Sequence, residues 1–205
     1  MENSSRRERE RQEHRHYILK TAEELFARDG FLKVTMRQIA QKAEFALGTL
    51  YRLFKGKEEL YDQLVNGKTE EFVGFVSEQM AEGRDPREKV RKFIEAKLAF
   101  FHRNLAFLRL YFAETHGYRQ HGARARSGFL RRRHERLLGK LTEVFEQGIA
   151  AGVFRETPPQ KLAAALDGLT TAFAWAWIDK APGAFPTEEI DAAEQIFLHG
   201  VVAGV

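Results

Sequence analysis

A chain of 205 residues, 43% hydrophobic and 30% charged, can bury a sizeable core as one extended helical unit or as two small domains sharing a helix. It has no cysteine, which excludes disulfides, thiolate nucleophiles and zinc–cysteine sites. A formal charge of +4 points modestly to polyanionic partners. Because the opening MENSSRRERERQEHRHY holds no apolar stretch and no later segment is long and apolar enough to span a bilayer, a cytoplasmic protein with no membrane partner is expected.

In residues 1–15, Arg6, Arg7, Arg9, Arg11 and Arg15 alternate with Glu8, Glu10 and Glu13. This charged arm is either a solvated, disordered tail or a helical extension that touches phosphates. Ile18, Ala22, Leu25 and Phe26 recur at helical spacing, so a first helix is expected over residues 9–28, ending at Asp29-Gly30. Thr35 followed by Gln38 forms a capping box that starts a second helix running to about residue 42. Its inner face carries Met36, Ile39, Ala40 and Ala43, and its outer face Arg37, Gln38, Gln41 and Lys42. In a third short helix Leu50 and Phe54 point inward, while Leu47, Gly48, Thr49 and Arg52 stay outside. Two short helices joined by a tight turn make a helix-turn-helix, whose second member can lie in a major groove of double-stranded DNA.

The run IAQKAEFALGTLYRLFKGKEEL, with Gly48-Thr49-Leu50-Tyr51, Phe54 and the Lys57-Glu58 pair ahead of Leu60, strongly resembles the signature of the TetR family of bacterial transcriptional repressors. The likeness covers roughly residues 16 to 62. Beyond them it extends only to length and helical, aromatic-rich character. Two positions depart from the family pattern: Glu44 stands where glycine is common, and Ala46 where a serine or threonine usually caps the reading helix. A non-glycine residue in a left-handed turn costs about 1 to 2 kcal/mol, and alanine at an N-cap about 1 kcal/mol. The resemblance implies a homodimeric repressor that binds a palindromic operator and a small, apolar or aromatic inducer among its C-terminal helices; the alternative within DNA binding is a constitutive or architectural factor without inducer.

Within the hairpin, Thr35, Arg37, Gln38, Leu47, Gly48, Thr49 and Arg52 are the expected DNA-facing residues. Leu47 suits a thymine methyl beside a glycine that permits close approach. Tyr51, Lys55 and Lys57 are expected to hold phosphate, unless Tyr51 is a core aromatic and the lysines merely open the next helix in solvent.

A fourth helix is expected from about Gly56 to Glu82, without a flexible linker between reader and core. The chain is thus read as all-α, with a helix-turn-helix DNA-binding domain at 16–60 joined through the fourth helix to a helical ligand-binding and dimerisation domain at 61–205. Asp85, Pro86 and Glu88 restart the chain as a helix, and Thr157-Pro158-Pro159-Gln160 restarts it again through a second capping box after Gly152. Phe72, Phe101, Phe107, Tyr111 and Phe112 can line an apolar pocket with His102, Glu114 and His116 as polar anchors, or they are simply core.

The apolar segment LAAALDGLTTAFAWAWI reads as a pairing helix, or as a buried core helix of a monomer. Leu162, Leu166, Leu169, Phe173 and Trp177 occupy one side and Gly168 lies on an alanine-lined other side. Ile190, Ala193, Phe197 and Val201 follow on the last helix. A second basic cluster, Arg124, Arg126, Arg131, Arg132, Arg133 and Arg136, is a solvated face, an anion site or an extra nucleic-acid contact. An enzyme would have to use His102, Glu114, His116 and His121. His116 and His121 are spaced five apart, unlike a helical zinc pair, and no phosphate loop or nucleophile elbow accompanies them, so neither catalysis, a metal nor a cofactor is expected.

Overall fold

The structure is a computed structural model that describes residues 2–115, 127–177 and 187–201. The described residues form nine α-helices and no strand: α1 (Glu2–Asp29), α2 (Met36–Lys42), α3 (Leu47–Leu53), α4 (Lys57–Ala81), α5 (Pro86–Arg103), α6 (Leu105–Thr115), α7 (Ser127–Ala150), α8 (Pro159–Ala176) and α9 (Thr187–Val201). Among them no helix is long and apolar enough to cross a membrane.

The charged N-terminal arm is the first half of α1, so no boundary falls at residue 15. Polar side chains three and four apart support that extension, as in Arg6–Glu10 at 3.0 Å, Gln12–Glu8 at 2.9 Å and Arg11–Glu8 at 3.9 Å. Gly30, at φ +80°, ends α1 with its N–H on the Phe26 carbonyl. Gly152, at φ +69°, ends α7 in the same left-handed conformation, and the Val153 N–H reaches back to the Gly148 carbonyl at 2.8 Å.

The restart at Asp85 matches its expected chemistry: the carboxylate accepts the Glu88 N–H at 2.9 Å with Pro86 in the first turn. The second capping box does not form. Pro158 is the N-cap of α8 and supplies its carbonyl to Lys161 and Leu162, with no side-chain cap from Thr157. The break between α5 and α6 carries neither proline nor glycine. There Asn104 leaves the helical region at φ −129°, ψ 53°, and its Nδ2 donates to the Phe100 carbonyl.

In the C-terminal domain α5 is central, packed by α4, α6, α7, α8 and α9. Phe72, Phe101, Phe107 and Tyr111 do converge there, but as a filled cluster. Phe72 stacks on Phe101 at 4.8 Å between centroids, Phe101 lies 5.2 Å from Tyr111, and all four are fully buried. Each of these interlocked rings contributes about 1.5 to 3 kcal/mol by leaving water. His102 is half-buried at the end of α5. The side chains of Phe112, Glu114 and Val201, together with His116, His121, Arg124 and Arg126, lie outside the described residues.

The pairing residues also sort differently. Leu162, Leu166, Ala193 and Phe197 belong to the protomer's own core, Phe197 meeting Phe145 at 5.7 Å. Leu169, Phe173, Trp177 and Ile190 are half-buried. The outward surface is the strip of Gly168 and Ala172, continued by Trp175 at 40% and Ile196 at 59% exposure. Within the second basic cluster, Arg133 is a structural group that ties α7 to Glu70 on α4 at 2.8 Å, whereas Arg131, Arg132 and Arg136 face solvent.

Beside the aromatic cluster lies a buried polar network. Lys97 is wholly buried, and its Nζ donates to the Asp167 carboxylate at 2.6 Å, the Asp167 carbonyl at 2.7 Å and the Thr171 hydroxyl at 2.8 Å. His134 Nε2 stands 3.4 Å from the other Asp167 oxygen, and Nδ1 meets the Tyr111 hydroxyl. An ionised Asp167 only accepts, so His134 Nε2 is the donor toward it, and the His134 ring links Asp167 to the Tyr111 hydroxyl. Burial pushes the Lys97 ammonium pKa down against the pull of Asp167, and it raises the Tyr111 phenol well above its ordinary value.

Removing one partner strands a buried charge. Asp167→Ala is expected to lose about 3 to 5 kcal/mol in chemical denaturation, and the double variant Lys97→Met, Asp167→Leu to regain most of that loss.

Candidate nucleic-acid interface

The reading hairpin begins where Thr35 makes its reciprocal cap. The Gln38 N–H donates to the Thr35 hydroxyl at 3.3 Å, and the Thr35 N–H donates to Gln38 Oε1 at 2.8 Å. Gln38 therefore has its carboxamide oxygen committed to the cap and only its amide N–H groups available outward. Both family departures take the forms expected of them. Glu44 sits at φ +59°, and Ala46 caps α3 in an extended conformation without any side-chain bond.

Helix α3 buries Leu50 and ends at the equally buried Phe54. On its outer side Gly48 and Arg52 are exposed, Thr49 is half-exposed, and Tyr51 is 53% exposed, which removes it from the core. Arg37 and Lys55 are also exposed. Arg52 Nη2 donates to the Thr49 hydroxyl at 3.0 Å, so the two side chains present one polar edge. Leu47 is not the freely exposed leucine expected from sequence. It is half-buried and packs against the hydrophobic core, so packing accounts for part of its presence.

Lys57 is the clearest correction. Its Nζ donates to the carbonyls of Phe31 at 2.8 Å and Val34 at 2.9 Å, and it lies 4.3 Å over the Phe31 ring. Its charge is spent inside the domain, where it pins the turn between α1 and α2 to the start of α4. Arg15 does the matching work at the other end. Nη1 donates to the Leu53 carbonyl at 3.0 Å, Nη2 bonds Gln63, and the guanidinium lies 4.8 Å from the centre of Phe54. The last turn of α3 thus gains a cationic cap that also complements its dipole.

A cleft of about 450 Å³ runs between the N-terminal half of α1 and α3, lined by Arg7, Arg11, His14 and the Arg6-paired Glu10 opposite Thr49, Arg52 and Leu53. Sequence reading placed these α1 residues in a tail of undecided role. Their 7, 11, 14 spacing was the available signal, because it sets all three on one helical face. With them the exposed edge of α3 becomes a broad basic surface suited to phosphate oxygens.

This architecture, a short capped hairpin with a solvent-facing second helix on a helical body, defines a helix-turn-helix DNA-binding regulator. Residues 18–64 match the family model described as bacterial regulatory proteins, tetR family, and residues 86–174 match the one described as tetracyclin repressor-like, C-terminal domain. The chain belongs to the TetR family of transcriptional regulators.

Among curated relatives, the uncharacterized HTH-type transcriptional regulator YhgD of Bacillus subtilis is 24% identical over 80% of this chain and 84% of its own length. The HTH-type transcriptional repressor KstR2 of Mycobacterium tuberculosis is 26% identical over 67% of this chain and 68% of its own. Two solved structures share the fold. The ketosteroid transcriptional regulator KstR2 of M. tuberculosis superposes with a TM-score of 0.71 at 22% identity, covering 93% of this chain and 95% of that one. The fatty acid degradation regulator FadR of Bacillus halodurans gives 0.73 at 22% identity, covering 91% and 95%.

The two turn departures are each reversible. Glu44→Gly and Ala46→Ser should each raise stability by about 1 kcal/mol in chemical denaturation, the first by relieving left-handed strain and the second by supplying an N-cap oxygen. Lys55 and Lys57 should separate in a salt titration of DNA binding. Lys55→Ala is expected to reduce the log-affinity against log-salt slope by about 1, whereas Lys57→Met leaves the slope unchanged and instead lowers the melting temperature.

Proposed function

We propose that the protein is a homodimeric, cytoplasmic repressor, released from a roughly palindromic operator by a small apolar or aromatic effector and needing no cofactor. One observation carries this reading: Arg15 joins the end of α3 to α4 through the Leu53 carbonyl and Gln63, Lys57 joins α4 to the turn before α2, and α4 runs unbroken from Lys57 to Ala81 into the aromatic core. A displacement at the core end of α4 therefore moves the reading edge. A coupling of about 1 to 3 kcal/mol would change operator affinity roughly 5- to 150-fold, enough to switch a promoter.

Pairing is supported by the outward apolar strip on α8 and α9, which includes Gly168, Ala172, Trp175 and Ile196. A two-fold axis through that strip would present two reading heads to successive turns of DNA, about 34 Å apart. The effector class is supported by the aromatic core and by relatives named for ketosteroids and fatty acid degradation. Such a molecule has to part the rings of Phe72, Phe101, Phe107 and Tyr111, with the Lys97–Asp167–His134 network beside it as the source of polar contacts.

The test begins by selecting genomic fragments that bind the purified protein and measuring mass in solution. A dimer with a preferred, near-symmetric sequence is expected, and a monomer without preference over random competitor would overturn the proposal. Gly168 has open space where a side chain would project, so Gly168→Glu leaves the protomer folded. This variant is expected to sediment as a monomer and to lose at least about 100-fold in operator affinity as the second head is lost.

A further inference from the structure

Between the reading head and the core lies a cleft of about 500 Å³, walled by α1, by α4 and by the turn from α5 into α6. Its apolar lining includes Leu19, Leu64 and Leu105. Glu23 also lines it, is only 8% exposed, and makes no hydrogen bond or ion pair among the described residues.

Most of the Glu23 side chain is buried, but its carboxylate oxygens open onto the cleft, where an entering donor can reach them. Burial raises the Glu23 pKa, Glu71 and Glu24 add to that effect, and Lys68 and Lys20 oppose it. None of the cations around the cleft is paired with Glu23. Lys68 Nζ is held by Glu71 at 3.1 Å and Asn104 at 3.2 Å, Arg103 lies 5.7 Å over the Phe75 ring, and Lys20 and His16 are exposed. Glu24 is turned to Lys42 at 3.6 Å. Among the described charged groups that line the cleft, Glu23 is the one both buried and unpartnered, so the missing group is a cationic donor rather than an anion.

We propose that this cleft binds a small organic amine, whose protonated nitrogen pairs with Glu23 and whose apolar body lies on Leu19, Leu64 and Leu105. The occupant touches α1, α4 and the start of α6 together, and it sits apart from the aromatic cluster. It acts as a second ligand site at the joint between the two halves of the molecule.

Dansylcadaverine, a fluorescent primary amine, provides the probe, titrated into the full-length protein without DNA so that the outcome is independent of the operator reading. Saturable binding is expected from fluorescence anisotropy, and the neutral dansylamide should not compete. Glu23→Gln should weaken binding about 10- to 100-fold, as loss of a charge-assisted bond requires. Gly67→Leu should weaken it as well, because a side chain at Gly67 enters open space in the cleft without striking the protein. Glu23→Gln removes an unpaired acid and should melt no lower than the unsubstituted protein, which separates lost binding from lost fold. Absence of saturable binding, equal affinity in Glu23→Gln, or equal binding of dansylamide would overturn the proposal.

Discussion

Two cationic side chains bonded to backbone carbonyls hold the reading head in one geometry. Lys57, in the first turn of α4, seizes the carbonyls of Phe31 and Val34 before α2, and Arg15, midway along α1, seizes the Leu53 carbonyl at the end of α3. Helices of seven residues are too short to persist alone in water. They persist here because α2 packs on both α1 and α3 with Ile39, Ala40 and Leu50 buried in the core, and because carbonyls that would otherwise need water receive charged donors. The result is a rigid hairpin whose outer edge is left to polar groups.

The core solves a different problem. It tolerates a buried ammonium because Lys97 meets three acceptors from one helix, each within 2.8 Å, and it surrounds them with tightly packed rings. Such a network adds little net stability, since its desolvation cost offsets much of its attraction. It fixes α5 against α8 and reaches α6 and α7 through Tyr111 and His134.

Much of this was legible from residues alone, for a physical reason: the hairpin is specified by local chemistry. A capping box needs two side chains three apart, and a left-handed turn announces itself even when glutamate occupies it. The Asp85-Pro86-Glu88 start was equally local. What escaped notice depended on tertiary partners. Lys57 and Arg15 look like surface cations until the carbonyls 23 to 38 residues away are in place. The polar core network was invisible because nothing in the spacing of Lys97, His134 and Asp167 joins them. Thr157 had the letters of a cap, yet the proline that follows it took the capping position instead. The apolar run of α8 correctly signalled burial, but it could not say which side belongs to its own protomer.

The great length of α1 has a mechanical implication. At 28 residues it is a rod of about 42 Å, flanking the basic surface near its beginning and packing on α4 and α6 near its end. Motion in the body can therefore travel to the duplex along two struts in parallel, α4 and α1, and not through a single hinge. Parallel struts of this sort make the mechanical coupling robust to damage: a lesion that slackens one leaves the other able to carry strain, and decoupling the two halves requires both to fail.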